Sequence, residues 1–168
     1  MEEAGVARWI EPLREMLAQA EAFRGYELRA ATDADGEFLY LLHREAMRDY
    51  VEATWGWNEP WQRAHFANSF APLRNAVVVR LGSAPVDVGR ISLTRHWGWI
   101  FLRDIELAPS ERGRGIGSAI IAAVIALAKT GDRHVELNVL ACNPARHLYA
   151  RLGFRVVRDD GARLRMRN

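Results

Sequence analysis

The sequence predicts a single α/β (α+β) domain, and three observations carry that prediction. The β-branched runs 75–81 ("NAVVVRL") and 86–97 ("VDVGRISLTRHW") flank a "GSAP" turn, the pattern of an antiparallel hairpin. Further on, a long apolar helical stripe, 115–129, lies between the strand-like runs 99–107 and 134–139, a strand–helix–strand unit. At 168 residues, 49% hydrophobic and 26% charged, the chain is long enough to bury one core. There is no internal repeat and no low-complexity linker.

Each element follows from local pattern. Residues 12–23 place Leu13, Met16, Leu17, Ala20 and Phe23 at helical spacing, and Pro12 suits a first turn. This helix precedes the domain proper, which divides the chain into an N-terminal helical extension, 1–24, and a domain, 25–168. The extension is expected to pack on its own chain, with a homodimer contact as the alternative. "YELRAA" (26–31) is a first strand. Thr32 or Asp33 then caps a helix that runs to about Val51, and "WGWNEP" breaks it before a second helix from Pro60 to about Phe70. After the hairpin comes the strand "WIFLRDIEL" (99–107). The helix 115–129 carries Ile116, Ile120, Ala123, Val124 and Leu127 on one stripe and Lys129 at its C-terminal end. "HVELNV" alternates, a short helix at 144–152 ends at Gly153, and "FRVV" and "RLRMR" close the chain as two strands.

Composition excludes several classes. Against 21 acidic residues stand 23 basic ones, a net charge of +2, far from the excess a nucleic-acid binder needs. The sequence pI is near 9.0. No window approaches the roughly 20 apolar residues of a membrane span. The acidic start, "MEEAGVARWI", lacks the apolar core of a signal peptide, so the expectation is a cytoplasmic protein. One cysteine, Cys142, excludes an intrachain disulfide, and no ligand spacing argues for a metal.

The most informative stretch is "PSERGRGIGSAI", 109–120. It joins a strand to a helix, where backbone N–H groups and the helix dipole hold phosphate oxygens. Gly113, Gly115 and Gly117 let the main chain approach closely, and Arg112 and Arg114 add charge-assisted hydrogen bonds. A pyrophosphate is the natural guest. Two common phosphate loops fail on spacing. A G-x-G-x-x-G fingerprint would need glycine at Ser118 or Ile120, and a P-loop needs a lysine that the stretch lacks.

What does match is R-x-x-G-x-G, at Arg112, Gly115 and Gly117, followed by "NPARHLYARLGF" at 143–154. With these motifs the chain resembles the GNAT (GCN5-related) N-acetyltransferase superfamily from Tyr26 to the C-terminus, most specifically over 105–154. The resemblance implies a mixed, mostly antiparallel sheet of about six to seven strands with about four flanking helices, in which strands 4 and 5 splay apart. It implies acetyl-CoA as co-substrate, its pyrophosphate held by Arg112, Gly113, Arg114, Gly115, Ile116, Gly117 and Ser118, and its pantetheine arm by main-chain groups of Leu107. Asn143 would contact the coenzyme, and Tyr149 would donate a proton to the departing thiolate. Apart from the resemblance, Asn143-Pro144 reads as a helix cap and Tyr149 as a core aromatic.

The strand 99–107 itself hints at a bulge. Ile100 and Leu102 share one phase of alternation and Ile105 and Leu107 the other, so one extra residue near Arg103–Asp104 would restore a single apolar face. A strand buried on both faces is the alternative.

The implied reaction is direct attack of a primary amine, of a small molecule or a protein, on the thioester. That amine must first lose a proton. Asp104, Glu106, Glu136 and His96 are candidate bases, of which Glu106 is the choice. The position where some relatives carry a glutamate is Asn138, which cannot act as a base. Cys142 is expected to be a small buried hydrophobe rather than a nucleophile. "YVEATWGWNEPWQ" (50–62), with Glu52, Glu59 and three of the six tryptophans, would suit a cationic acceptor, or else two Trp faces packed into the core. A non-catalytic acyl-CoA-binding module is the alternative to an enzyme.

Overall fold

The computed structural model describes residues 8–168, so the first seven residues of the N-terminal extension lie outside the described residues. In chain order the elements are α1 (Ile10–Leu17), β1 (Tyr26–Ala30), α2 (Gly36–Trp55), α3 (Glu59–Ser69), β2 (Asn75–Arg80), β3 (Val86–Arg95), β4 (Trp99–Leu107), α4 (Ile116–Lys129), β5 (His134–Leu140), α5 (Ala145–Arg151), β6 (Arg155–Asp159) and β7 (Arg163–Arg167). One seven-stranded sheet has the order β1-β2-β3-β4-β5-β7-β6, antiparallel at every pair except β4 with β5. The expected mixed α/β sheet is what the chain forms.

Local chemistry explains the boundaries. Thr32 and Asp35 form a capping box, each side chain meeting the other's backbone, and a short 3-10 turn leads into α2. That helix continues past the expected Val51 to Trp55, because nothing disfavours helix until Gly56, whose φ of 83° only glycine adopts readily. Asn58 caps α3 by accepting from the Trp61 amide at 2.9 Å, with Pro60 in the first turn. The first helix is shorter than the 12–23 stripe suggested. It covers Ile10–Leu17, and Glu21–Phe23 forms a separate 3-10 turn after an extended Ala20.

Two cores lie on opposite faces of the sheet. On one, α1 and α4 bury Ile10, Leu13, Leu17, Ile120, Ile121 and Val124 against Leu28, Val78, Ile91, Ile100 and Val135. On the other, α2 and α3 bury Leu39, Tyr40, Leu42 and Phe66 against Val77 and Val79. β2, buried from Asn75 to Val79, is thus sandwiched, which is why its central "AVVV" shows no alternation. The apolar stripe of α1 is buried within this chain. Each such side chain removed from water contributes about 1.5–3 kcal/mol.

The register of β4 positions everything functional. Ser92 pairs with Asp104 and Leu93 with Leu102, so Arg103 is an extra residue on β4. The bulge turns Ile105 and Leu107 onto the α4 face with Ile100 and Leu102, and Glu106 onto the α2 face. The parallel pairing with β5 ends at Leu102–Leu137, and beyond it the two strands separate.

Candidate active site

The gap between β4 and β5 is a cleft of about 220 Å³ lined by Asp104, Ile105, Glu106, Asn138, Asn143 and Tyr149 and roofed by Met47, Val51 and Trp55 of α2. Tyr149 belongs to the core, 8% exposed, with its ring edge-on to Phe154 at 5.9 Å. Its hydroxyl has no hydrogen-bond partner among the described residues. Burial, reinforced by the charges of Asp104 and Glu106, pushes its pKa up to about 12, so it stays protonated across the physiological range. Asn143 accepts from the Ala145 amide through its side chain at 2.9 Å, which caps α5 as its position before Pro144 suggests.

The loop 112–118 follows the end of β4 and runs into the start of α4. Gly113 and Gly115 have φ of 73° and 82°, and Gly115 is the left-handed N-cap of α4. The first amide of α4 to find a backbone acceptor is that of Ala119, bonded to Gly115, so the preceding amides are available to an anion. The loop is pinned from beneath by Glu111, which is fully buried. Its carboxylate accepts from Tyr26 Oη at 2.6 Å, Arg80 Nη1 at 2.8 Å and Arg114 Nη1 at 3.0 Å. The Tyr26 hydrogen bond and the two guanidinium charges hold Glu111 below the ordinary carboxylate range. Arg114 therefore serves the loop's shape. Arg112 bonds the Leu107 carbonyl through Nε at 2.9 Å, tying loop and strand together at the residue expected to meet the pantetheine.

Glu106 is 5% exposed and does not stand alone. His43 Nδ1 of α2 lies 2.6 Å from its Oε1, and Arg90 of β3 reaches its Oε2 at 3.4 Å and Asp104 at 3.0 Å. Burial alone would raise the Glu106 pKa, but the His43 hydrogen bond and the Arg90 charge outweigh it and hold the carboxylate ionised. Asp104 moves the other way: burial and the neighbouring Glu106 raise it despite Arg90. For His43, burial lowers the pKa but Glu106 wins, leaving it above the ordinary 6.5. Sequence reasoning missed both His43 and Arg90. A signal for His43 existed: Leu39, His43, Met47 and Val51 recur every fourth residue on one helical face.

The remaining candidates fall elsewhere. Glu136 is bonded by Arg165 at 2.6 Å, Arg167 at 2.8 Å and His134 at 3.0 Å, outside the cleft. Despite burial, these partners lower it to about 2. His96 stacks on Trp99 at 3.9 Å. Cys142, expected to be buried, is exposed, because the turn into α5 holds it at the surface beside Tyr50 and Thr54 of α2.

A second cavity of about 260 Å³ adjoins the cleft. It is lined by His43, Trp55, Trp61, His65, Arg74 and Arg90 among others, and shares Val51, Trp55, Arg103, Asp104 and Arg163 with the cleft. Trp55 and Trp61 face solvent with more than half their surface exposed. Glu52 and Glu59 do not line it. Glu52 accepts from the Trp57 amide at 2.7 Å, and Glu59 accepts from Tyr40 Oη and Trp57 Nε1, both at 2.7 Å, so these carboxylates build the α2–α3 turn.

Residues 38–154 match the model of the acetyltransferase (GNAT) family, a span that includes His43, the β4 bulge, the glycine loop, Asn143 and Tyr149. The chain belongs to the GNAT family. Solved structures with the same fold include the PaiA N-acetyltransferase of Thermoplasma acidophilum in complex with coenzyme A, at TM-score 0.67 and 18% identity over 85% of this chain and 98% of that one. The ribosomal-protein-S18-alanine N-acetyltransferase of Escherichia coli gives 0.60 and 20%, over 84% and 92%. Arabidopsis thaliana Naa50, in complex with the bisubstrate analogue CoA-Ac-MVNAL, gives 0.56 and 15%, over 85% and 97%. As a GNAT protein the chain is an acetyltransferase at the level of the family. No helix among its described residues is long and apolar enough to cross a membrane.

Proposed function

We propose that this GNAT protein transfers an acetyl group from acetyl-CoA to a primary amine by direct attack. The coenzyme would lie in the cleft between β4 and β5, its pyrophosphate on the amides of residues 113–118 and its thioester beside the β4 edge beyond Leu102. The acceptor would enter through the second cavity. The observation that carries this reading is the continuity of the two cavities, with Tyr149 lining one, His43 lining the other and Glu106 bonded to His43 between them.

In this reading the acceptor ammonium gives a proton to neutral His43, whose ring Glu106 orients. The amine nitrogen then bonds to the thioester carbonyl carbon. As the tetrahedral adduct collapses, the C–S bond breaks and the sulfur takes a proton from the Tyr149 hydroxyl. The excess proton still on the nitrogen leaves through solvent and restores the tyrosine, so that a neutral amide and the free thiol remain. Glu106 supports proton transfer as the partner of His43, a division of labour suited to its lowered pKa. Leu107, Arg112, Ser118 and Asn143 would hold the coenzyme, as their positions in the family's motifs imply, and Asn143 also lines the cleft. The test is release of free thiol from acetyl-CoA across a panel of primary amines, with mass-spectrometric detection of the acetylated product. Coenzyme binding without turnover on any amine would favour a binding module and overturn the proposal.

A further inference from the structure

We propose that the acceptor is a small amine that itself carries a carboxylate on an apolar or aromatic body, the chemistry of an aromatic amino acid. This rests on the acetyl-transfer reading above and concerns the same site. The second cavity contains four arginines, Arg74, Arg90, Arg103 and Arg163, and a single carboxylate, Asp104. Arg90 is neutralised in place, bonded to Asp104 at 3.0 Å and to Glu106 at 3.4 Å. Arg74, Arg103 and Arg163 form no ion pair among the described residues. Arg163 instead lies over the Trp55 ring, 5.2 Å from its centroid. Counting the arginines and carboxylates alone, four guanidinium groups against Asp104 and Glu106 leave a surplus of two positive charges.

A polycationic acceptor would meet that surplus as repulsion, and the acids that could have offset it, Glu52 and Glu59, are held in the α2–α3 turn. A carboxylate is the group for which guanidinium forks are suited, through paired N–H donors. The same surplus lowers the pKa of a nearby ammonium and so raises the fraction of free amine, the form that attacks. Trp55 and Trp61, with Trp61 stacked on His65 at 4.7 Å, supply flat walls for an apolar body. A cavity of about 260 Å³ is the size of a small molecule.

The experiment separates binding from turnover. N-acetyl-tryptophan and N-acetyltryptamine, products that differ only by the carboxylate, are titrated calorimetrically into the coenzyme-A-loaded protein. The carboxylate should tighten binding by about tenfold or more, and the advantage should shrink with added salt. It should fall below about threefold in the double variant Arg103→Gln, Arg163→Gln. Arg74→Gln, on the exposed rim, serves as a second variant if the double one is misfolded by circular dichroism. Equal or tighter binding of N-acetyltryptamine, or binding of neither product, would overturn the inference, as would tighter binding of an acidic hexapeptide. Parallel thiol-release assays on tryptophan and tryptamine test the reaction itself. Silence there with the carboxylate preference intact would sink acetyl transfer and leave the pocket's selectivity standing.

Discussion

Tyr149 and Gly115 were each assigned a role by their place in a motif, and each can be probed with a single atom or side chain. Tyr149→Phe keeps the ring against Phe154 and removes only the hydroxyl. Turnover should fall on the order of a hundredfold with little change in the KM for acetyl-CoA, measured by thiol release. An unchanged rate would end the proton-donor role. At Gly115 a side chain must adopt a φ of 82° and meet Ala22 Cβ at 3.3 Å, so Gly115→Asp places strain and a carboxylate in the loop. Coenzyme A affinity should drop by about tenfold or more in a calorimetric titration. The His43–Glu106 pair predicts a pH profile. The proposed mechanism needs neutral His43, so kcat/KM should rise with pH through a midpoint above the ordinary 6.5, because Glu106 stabilises the imidazolium. Glu106→Gln removes that stabilisation, so the limb should move to lower pH while the plateau falls; a limb that stays put would refute the pairing. The glycine loop, Asn143 and Tyr149 were legible because they lie in short contiguous motifs. For His43 the helical stripe showed a face but not a role, since its partner is 63 residues away and only the fold brings them together.

At the scale of elements, β4 shows how far pattern carries. The phase break at Arg103–Asp104 announced a bulge, and the register confirms it. Strands and helices were legible for the same reason, since period and capping chemistry are local. What escaped was the fate of polar side chains between elements. Glu59 looked like a ligand for a cation and is a clasp on Tyr40 and Trp57, a matter of tertiary geometry. Close packing of β3 on β4 is equally invisible in sequence. A Cβ at Gly89 would stand 2.7 Å from Leu107 Cδ2 and 3.0 Å from the Glu106 carbonyl, so Gly89→Ala should cost about 1–3 kcal/mol in denaturant unfolding. At the far side of the sheet, Glu136 pins β5 to β7. Its pKa is lowered to about 2 from 4.5, so its contribution is present above about pH 4.5 and is lost as pH falls through the folded value. Glu136→Gln should therefore flatten the fall of Tm on acidification.

For the whole molecule, the N-terminal extension is more than an addition to the domain. Ile10, Leu13 and Leu17 share a core with α4, and Ala22 Cβ lies 3.3 Å from where a Cβ on Gly115 of the glycine loop would stand. Deleting residues 1–24 should lower Tm by roughly 10 °C or more, since several buried side chains are lost at once. It should also weaken coenzyme A binding, read by calorimetry below the new Tm. A fragment as stable as the full chain would restore the view that the extension is separable.

The extra residue at Arg103 also says something about how this protein can change. A substitution within 104–107 alters one side chain, but loss of the single codon for Arg103 would invert the rest of the strand. Ile105 and Leu107 would turn toward α2, and Asp104 and Glu106 would be driven into the apolar layer beneath α4, where no arginine waits. A change of length at that one place would therefore move four side chains at once, where a substitution changes one.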